Sequence, residues 1–491
     1  MTAPAGGTPA ASGPDAVVVG PGPNGLAAAV VLARAGLKVQ VLEAAAQPGG
    51  GSRTQELIEP GHWHDVCSAV HPMAVASPFF RDFGLDRRIR LHTPEVSYAQ
   101  VIDGAEAAIA YRSLSRTAEG LGADGPAYRA LIEPLVRGMD QVMALTMNQL
   151  LRLPRNPPAA LRYGLRALEQ GSPLWNTRFR ESHAPALLAG VASHTPGGPR
   201  RPVAAGAGLM PGALAHTAGY PIPAGGSQTI IGALPAGLQA HGGSIATGVD
   251  VEALADLPAA RAVLLDTPPQ HLLRLAADRL PARYVRSLAG YRYGPGAAKV
   301  DYILSGPVPW ANAELAKATT VHLGGTREQI RAAGQEVARG RHAAWPFTLV
   351  AQPSSFDPLR APAGRHVLWT YSHVPHGSAR DLTAVITAQL EQAALGFTDL
   401  VVASRSMGAA DYSRYNANYV GGDFGTGAVT LRQVLARPVP APRPWRTPLK
   451  GFYLCSAATP PGPGVHGMWG YHAARLALQE VFGLPVPPLA P

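Results

Sequence analysis

The chain has 491 residues, of which 46% are hydrophobic and 15% are charged, and its formal net charge is +10. A chain this long and this apolar can bury an extensive core, which excludes global disorder. Its two cysteines cannot build a disulfide framework or a four-cysteine zinc site, so we expect a cytoplasmic protein without a metal.

The N-terminal residues 1–14 are mostly Ala, Gly, Pro and Ser and predict a disordered tail. The first ordered segment, residues 16–19, is a short apolar run that predicts a buried strand. A glycine-rich turn follows at residues 20–25, then an Ala- and Leu-rich helix over residues 26–35. A second strand runs over residues 39–42 and ends at Glu43, which completes a βαβ unit.

The chemistry of this unit fits a dinucleotide. Gly20 permits the tight turn, Gly22 lets the backbone approach a pyrophosphate, and Gly25 lets the helix pack on the strand. Asn24 lies within the same turn, at the start of the helix, where N–H groups favour an anion. Glu43 follows the second strand, where a carboxylate accepts hydrogen bonds from ribose hydroxyls.

A second glycine cluster follows closely, at residues 49–51, with Arg53 just beyond it. Gly50 and Gly51 could approach the phosphates of a longer ligand such as FAD, with Arg53 as a cation. An ordinary glycine loop with a surface arginine is the alternative, and the residues alone do not choose between the two.

The middle of the chain predicts fewer regular elements. Residues 126–151 predict one long helix, and residues 299–305 and 366–374 predict strands that are exposed on one face.

The segment 152–180 carries six arginines and one acidic residue. A solvated face is the commoner reason for such a segment, and contact with an anionic membrane surface is the alternative. The arginines elsewhere are scattered, so we expect no nucleic-acid partner.

Motifs at both ends of the chain resemble those of a known protein family. The N-terminal glycines with Glu43 and Arg53 resemble the FAD signature of the phytoene desaturase-like flavoproteins, which are phytoene dehydrogenase-related FAD-dependent oxidoreductases. Residues 451–468 resemble the C-terminal flavin motif of that family. Residues 223–227, 320–324, 368–375 and 418–423 resemble its subgroup of pyridine nucleotide-disulphide oxidoreductase domain proteins.

The resemblance implies an α/β fold in which a Rossmann-like FAD-binding domain of the glutathione reductase type is interleaved with an α+β substrate-binding domain on a mixed sheet. The FAD-binding domain would comprise residues 15–100, 220–275 and 445–485. The substrate-binding domain would comprise residues 101–219 and 276–444.

The resemblance also assigns roles to single residues. It implies that the three glycines of the first turn hold the pyrophosphate, Glu43 the adenosine ribose, and Gly50 and Arg53 the flavin side. The backbone of Val249 would pass the adenine. The loop that would lie under the isoalloxazine comprises Gly464, Val465, His466, Gly467 and Met468. Ser456 would face the ribityl-phosphate side. Ser456 stands where many FAD proteins have an Asp.

The activity implied is dehydrogenation of a hydrophobic, isoprenoid- or carotenoid-like substrate by hydride transfer to the flavin. His466, Tyr371 and His71 are the candidate catalytic residues, and a packing role without function is the alternative for each. A flavin amine oxidase is the rival enzyme. A non-catalytic carrier of lipids or prenylated proteins is the rival from another class. The sequence does not predict the oligomeric state.

Overall fold

The computed structural model describes residues 13–196 and 202–490, so most of the predicted N-terminal tail lies outside the described residues. Within these ranges the strands are β1 (Ala16–Val19), β2 (Val39–Glu43), β3 (Thr54–Glu56), β4 (Trp63–Asp65), β5 (Leu91–His92), β6 (Val96–Asp103), β7 (Glu106–Tyr111), β8 (Ile222–Pro223), β9 (Ser244–Thr247), β10 (Ala262–Leu265), β11 (Gly296–Leu304), β12 (Ala318–Leu323), β13 (Thr348–Ala351), β14 (His366–Val374), β15 (Val401–Met407) and β16 (Phe452–Leu454).

The helices of the described ranges are α1 (Pro23–Arg34), α2 (Pro72–Ala76), α3 (Pro78–Phe83), α4 (Leu85–Arg88), α5 (Leu114–Gly120), α6 (Gly125–Arg137), α7 (Met139–Thr146), α8 (Pro157–Gln170), α9 (His183–Ala192), α10 (Pro202–Leu214), α11 (Gln228–Gln239), α12 (Pro269–Ala276), α13 (Ala282–Ala289), α14 (Arg327–Ala338), α15 (Thr383–Ala393), α16 (Phe397–Leu400), α17 (Ala409–Tyr415), α18 (Leu431–Leu435) and α19 (Met468–Ala477). None of them is long and apolar enough to cross a membrane.

One sheet contains five parallel strands in the order β16-β10-β1-β2-β9. The central strands β1 and β10 are apolar and buried on both faces, which is typical of a parallel sheet covered by helices, whereas the edge strand β9 is partly exposed. Helix α1 packs against α19 so closely that a Cβ on Gly470 would lie 1.8 Å from the backbone oxygen of Asn24. The two ends of the chain therefore meet in one Rossmann-like unit, which confirms the predicted fold class.

The other large sheet is mixed, with the order β15-β11-β14-β13-β12-β6-β7, and its strands are antiparallel neighbours except for the parallel pair β12 and β6. Strand β6 begins at Val96, so the domain boundary that we predict at residue 100 cuts through a strand of this sheet. The sheet is formed by segments that lie between those of the parallel sheet, as the interleaved fold requires.

Two sequence predictions are wrong in this region. The predicted helix over residues 126–151 is divided at Gly138 into α6 and α7, the second of which ends at Thr146. Strand β11 is buried along its whole length, and β14 is nearly so. One face of β11 packs against the apolar residues of α15, while the other carries Lys299 and Asp301 into a buried polar network. The alternation of side-chain character therefore marks a polar interior and not contact with water.

Candidate cofactor and substrate site

The first glycine turn joins β1 to α1. Gly20 has a φ of +95°, a conformation that favours glycine. A Cβ on Gly25 would lie 1.9 Å from the backbone oxygen of Gly20, so only glycine lets the helix begin this close to the turn. Gly22 is the N-cap of α1, and the side-chain oxygen of Asn24 is buried without a partner. This helix N-terminus is the feature that binds phosphate in dinucleotide-binding folds.

Glu43, Arg53 and Val249 lie together at the end of β2. The Glu43 Oε1 accepts a hydrogen bond of 2.7 Å from the Ala45 N–H and lies 3.4 Å from Arg53 Nη2, and the Val249 N–H donates to the Glu43 backbone oxygen at 2.8 Å. Burial raises the pKa of Glu43, while the hydrogen bond from Ala45 and the charge of Arg53 oppose the shift. Arg53 also donates twice to the Gln47 backbone oxygen, so it braces this loop.

The second glycine cluster touches the first. The Gly49 N–H donates to the Pro21 backbone oxygen at 3.0 Å, and a Cβ on Gly50 would lie 3.5 Å from the Gly22 Cα. A Cβ on Gly51 would lie 1.9 Å from the Tyr419 hydroxyl oxygen, so this position excludes a side chain. The two clusters, which the sequence leaves unconnected, are therefore one continuous backbone surface.

The C-terminal motif follows β16 and leads into α19. Gly464 and Gly467 have positive φ angles, and a Cβ on either would lie 2.3 Å from Met73 or Phe79, respectively. Val465 is partly buried against the core, and Met468 begins α19. At the end of β16, the Ser456 Oγ accepts a weak 3.3 Å hydrogen bond from the Ala458 N–H.

His466 is fully buried within this motif and has partners at both ring nitrogens. Its Nδ1 accepts the Met468 N–H at 3.1 Å, so its Nε2 is the donor to the Gly462 backbone oxygen at 3.0 Å. Burial lowers the pKa of His466 to about 4, with the Gly462 hydrogen bond opposing the shift. The ring is therefore neutral at pH 7, and its hydrogen bonds hold the loop.

His71 belongs to a separate buried network. Its Nε2 lies 2.7 Å from the Ser227 Oγ, and the Ser227 N–H donates to Asp65 Oδ1 at 2.8 Å. Asp65 Oδ2 lies 3.0 Å from Arg360 Nη1, and both side chains are fully buried. Burial lowers the pKa of His71 to about 4, although the charge of Asp65 opposes the shift. His71 is thus a neutral member of a network that joins distant segments.

Lys299 is a buried cation that the sequence analysis did not select. Its Nζ lies 2.8 Å from Asp301 Oδ2 and donates to the backbone oxygens of Asp65 and Val66 at 2.8 and 3.0 Å. These contacts tie β11 of the mixed sheet to the end of β4. A lysine two residues from an aspartate, on one face of an otherwise apolar strand, is the signal that could have identified the pair.

Tyr371 lies in an aromatic cluster on the same side of the mixed sheet. Its ring centroid is 5.3 Å from that of Trp369 and 5.5 Å from those of His373 and Phe424. Tyr419, whose hydroxyl approaches Gly51, belongs to the same cluster. Burial raises the pKa of Tyr371 above its usual range, so the hydroxyl stays protonated. The cluster therefore borders the second glycine cluster with an apolar, aromatic surface.

Asp266 is a second residue that sequence analysis missed. It follows β10, and its Oδ2 accepts a 2.9 Å hydrogen bond from the Gly25 N–H at the start of α1. The same oxygen lies 2.8 Å from where a Gly22 Cβ would be. Burial raises the pKa of Asp266 to about 7; the Gly25 hydrogen bond opposes the shift and the charge of Glu43 adds to it. Its position after a parallel strand, like that of Glu43, was the available signal.

The residues around the two glycine clusters suit a dinucleotide. Besides Asn24, the hydroxyls of Ser52 and Thr267 are buried without partners near the glycine clusters. Buried polar atoms without a partner destabilise the fold unless a ligand or a water molecule forms hydrogen bonds with them. Asp266 opposes a pyrophosphate, because its carboxyl group already accepts the Gly25 N–H. Among the described residues, no group of three or more His, Cys, Asp or Glu is arranged to hold a metal ion.

Comparisons with known proteins agree with this geometry. A family model described as an NAD(P)-binding Rossmann-like domain matches residues 18–83. A curated mouse (Mus musculus) protein, pyridine nucleotide-disulfide oxidoreductase domain-containing protein 2, is 24% identical over 95% of this chain and 94% of its own length. Its rat (Rattus norvegicus) counterpart matches at the same identity.

Solved structures extend the similarity to the whole fold. An oxidoreductase from Methanosarcina mazei superimposes with a TM-score of 0.61 at 15% identity, covering 95% of this chain and all of that one. A triple mutant of putrescine oxidase superimposes with a TM-score of 0.60 at 17% identity, covering 96% and 99% of the two chains. The chain thus has the fold of these oxidoreductases: a Rossmann-like dinucleotide-binding unit joined to a mixed sheet.

Proposed function

We propose that this protein is an FAD-dependent oxidoreductase that dehydrogenates a hydrophobic, isoprenoid- or carotenoid-like substrate. The observation that carries the proposal is the continuous surface of the two glycine clusters, joined at Gly49 and Pro21, with Glu43 beside it. A nicotinamide dinucleotide needs only the first cluster and the acid. The second cluster and the C-terminal loop favour the longer FAD, as the family resemblance implies.

In this proposal the chain holds FAD along one path. Gly20, Gly22 and Gly25 receive the pyrophosphate, Glu43 binds the adenosine ribose, and the Val249 backbone borders the adenine. Further along the path, Gly50, Gly51 and the loop of residues 464–468 border the isoalloxazine. The N-terminus of α19, which begins at Met468, directs its partial positive charge toward that end of the path.

Bound FAD would accept the hydride, and water would take the proton lost from the adjacent carbon, so the residues of the chain bind and orient the substrate. The aromatic cluster around Tyr371 provides an apolar surface for this task. His466 acts by fixing the loop, because both of its ring nitrogens are occupied. The neutral His71 braces the neighbouring segment through Ser227.

Oxidation of an amine is the second candidate. It is favoured by the aromatic cluster, which could enclose an aliphatic amine, and by the fold shared with putrescine oxidase. Lys299, whose Nζ lies 5.8 Å from the centre of the Trp369 ring, is neutralised by Asp301, so its charge does not decide between the two substrates. A non-catalytic lipid carrier would not require the complete pair of glycine clusters.

Anaerobic mixing of the purified protein with carotenoids, shorter isoprenoids and aliphatic amines tests the proposal. We expect visible flavin absorbance that bleaches with an isoprenoid and not with an amine. If only amines bleach the flavin, the proposed isoprenoid substrate is wrong and an amine takes its place. Absence of flavin after incubation with FAD would refute the oxidoreductase. A Gly22→Val protein, which should lack flavin, is the control for absorbance changes of the substrates themselves.

A further inference from the structure

An unusual concentration of exposed leucines surrounds α8. Seven leucines of the described residues between 150 and 174 have side chains that are exposed to solvent: Leu150, Leu151, Leu153, Leu161, Leu165, Leu168 and Leu174. Single exposed leucines are normal on a protein surface, but a contiguous group marks an interaction site. The loop before α8, the helix itself and the turn after it all contribute to this leucine face.

Three of these leucines form a stripe along α8. Leu161, Leu165 and Leu168 are spaced by four and three residues, so they lie within about 60° of one another around the helix axis. They are 55–65% exposed. The opposite side of α8 faces the protein, where the buried Tyr163 hydroxyl donates to the Gly206 backbone oxygen of α10. The helix is therefore anchored by one side and presents leucines on the other.

The charges on the segment that carries the leucine face are almost all positive. Arg152, Arg155, Arg162 and Arg180 are exposed, and Glu169 is the only acidic residue between residues 150 and 180. That carboxylate is already engaged, because Arg178 Nη2 donates to Glu169 Oε2 at 2.8 Å. Exposed leucines with unneutralised arginines at their border are the composition of a helix that lies in the interface of an anionic bilayer.

We propose that the leucine face docks this protein on the surface of an anionic lipid membrane, with the α8 stripe inserted at the level of the headgroups. The arginines select the anionic lipid, while the leucines supply the apolar contact. A second copy of the chain is less suited to this face, because two copies would bring the arginines together. Docking adds a partner to the proposed function, since a hydrophobic substrate dissolves in the same lipid.

Vesicle sedimentation tests this inference with a matched control. The test variant carries Leu161→Gln, Leu165→Gln and Leu168→Gln; glutamine is a good helix former, so α8 should remain intact. The control variant carries Leu359→Gln, Leu395→Gln and Leu431→Gln, at leucines that are 66%, 83% and 63% exposed outside the leucine face. The vesicles contain phosphatidylcholine alone or with phosphatidylglycerol, and FAD content is measured in every preparation.

We expect the wild-type and control proteins to bind the mixed vesicles, and the test variant to bind about tenfold or more weakly. Binding should be weaker on phosphatidylcholine alone and at high salt. Equal binding by the test and control variants overturns the inference. The inference is also overturned if the wild-type and control proteins are dimers in analytical ultracentrifugation while the test variant is a monomer. Membrane binding by protein that takes up no FAD supports docking while refuting the proposed function.

Discussion

The carboxyl group of Asp266 should make FAD binding depend on pH. This carboxyl group accepts a hydrogen bond from the Gly25 N–H at the start of α1, where the proposed pyrophosphate would bind. Burial raises its pKa to about 7. An ionised Asp266 would repel the phosphates, so above pH 7 FAD should bind with uptake of up to one proton. The dissociation constant should then be constant below pH 6 and rise by up to about tenfold per pH unit above pH 7.

The Asp266→Asn variant removes this charge but keeps an oxygen that accepts the Gly25 N–H. Titration of flavin-free protein with FAD, followed by flavin fluorescence between pH 6 and 9, should show a nearly flat dissociation constant for the variant. Asp278→Asn, at an exposed carboxyl, should behave as wild type. A variant that retains the wild-type pH profile would refute the reasoning and assign the titration to another group. The raised pKa of Glu43 makes that residue the first alternative.

The raised pKa of Asp266 should also make the stability of the flavin-free protein depend on pH. A carboxyl whose folded pKa is raised favours folding at low pH, and that contribution is lost as the pH rises from about 4 to about 7. A difference of about three pKa units corresponds to about 4 kcal/mol of unfolding free energy. Flavin-free Asp266→Asn should therefore be more stable than wild type at pH 8 and similar to it at pH 4, as measured by urea denaturation.

Three further predictions concern other parts of the site. Gly22→Val should abolish FAD uptake, because a branched side chain fills the pyrophosphate space beside Asp266; undiminished flavin in folded protein would contradict the assignment. Glu43→Ala should weaken FAD binding by about tenfold or more through loss of a charged acceptor, and an unchanged dissociation constant would exclude that role. Lys299→Met should destabilise the fold by about 3–5 kcal/mol, because the buried Asp301 loses its lysine partner and keeps only His64, whose Nδ1 lies 3.6 Å away, and adding Asp301→Asn should restore much of the loss in chemical denaturation.

Local patterns predict the first βαβ unit almost residue by residue. The glycine turn and the terminal acid specify it without help from the rest of the chain, and the largest difference is at the start of α1, since the helix already begins at Pro23. The interior of β11 was predicted incorrectly for a physical reason. An alternating strand has the same sequence pattern whether its polar face meets water or, as with Lys299 and Asp301, buried partners from a distant segment. Asp266 follows a strand as Glu43 does, but its contact with Gly25 exists only in the folded chain.

The meeting of β1 and β16 in one sheet constrains when the cofactor can be acquired during synthesis. While the ribosome is still translating the chain, the first glycine turn emerges early, but β16 and α19 are the last elements of the described chain to appear. Until then α1 lacks the helix that packs at Asn24, and the part of its apolar surface that α19 covers is exposed, although α11 is already present. Nascent chains that stop before Phe452 should therefore be clients of chaperones, and flavin loading should follow translation.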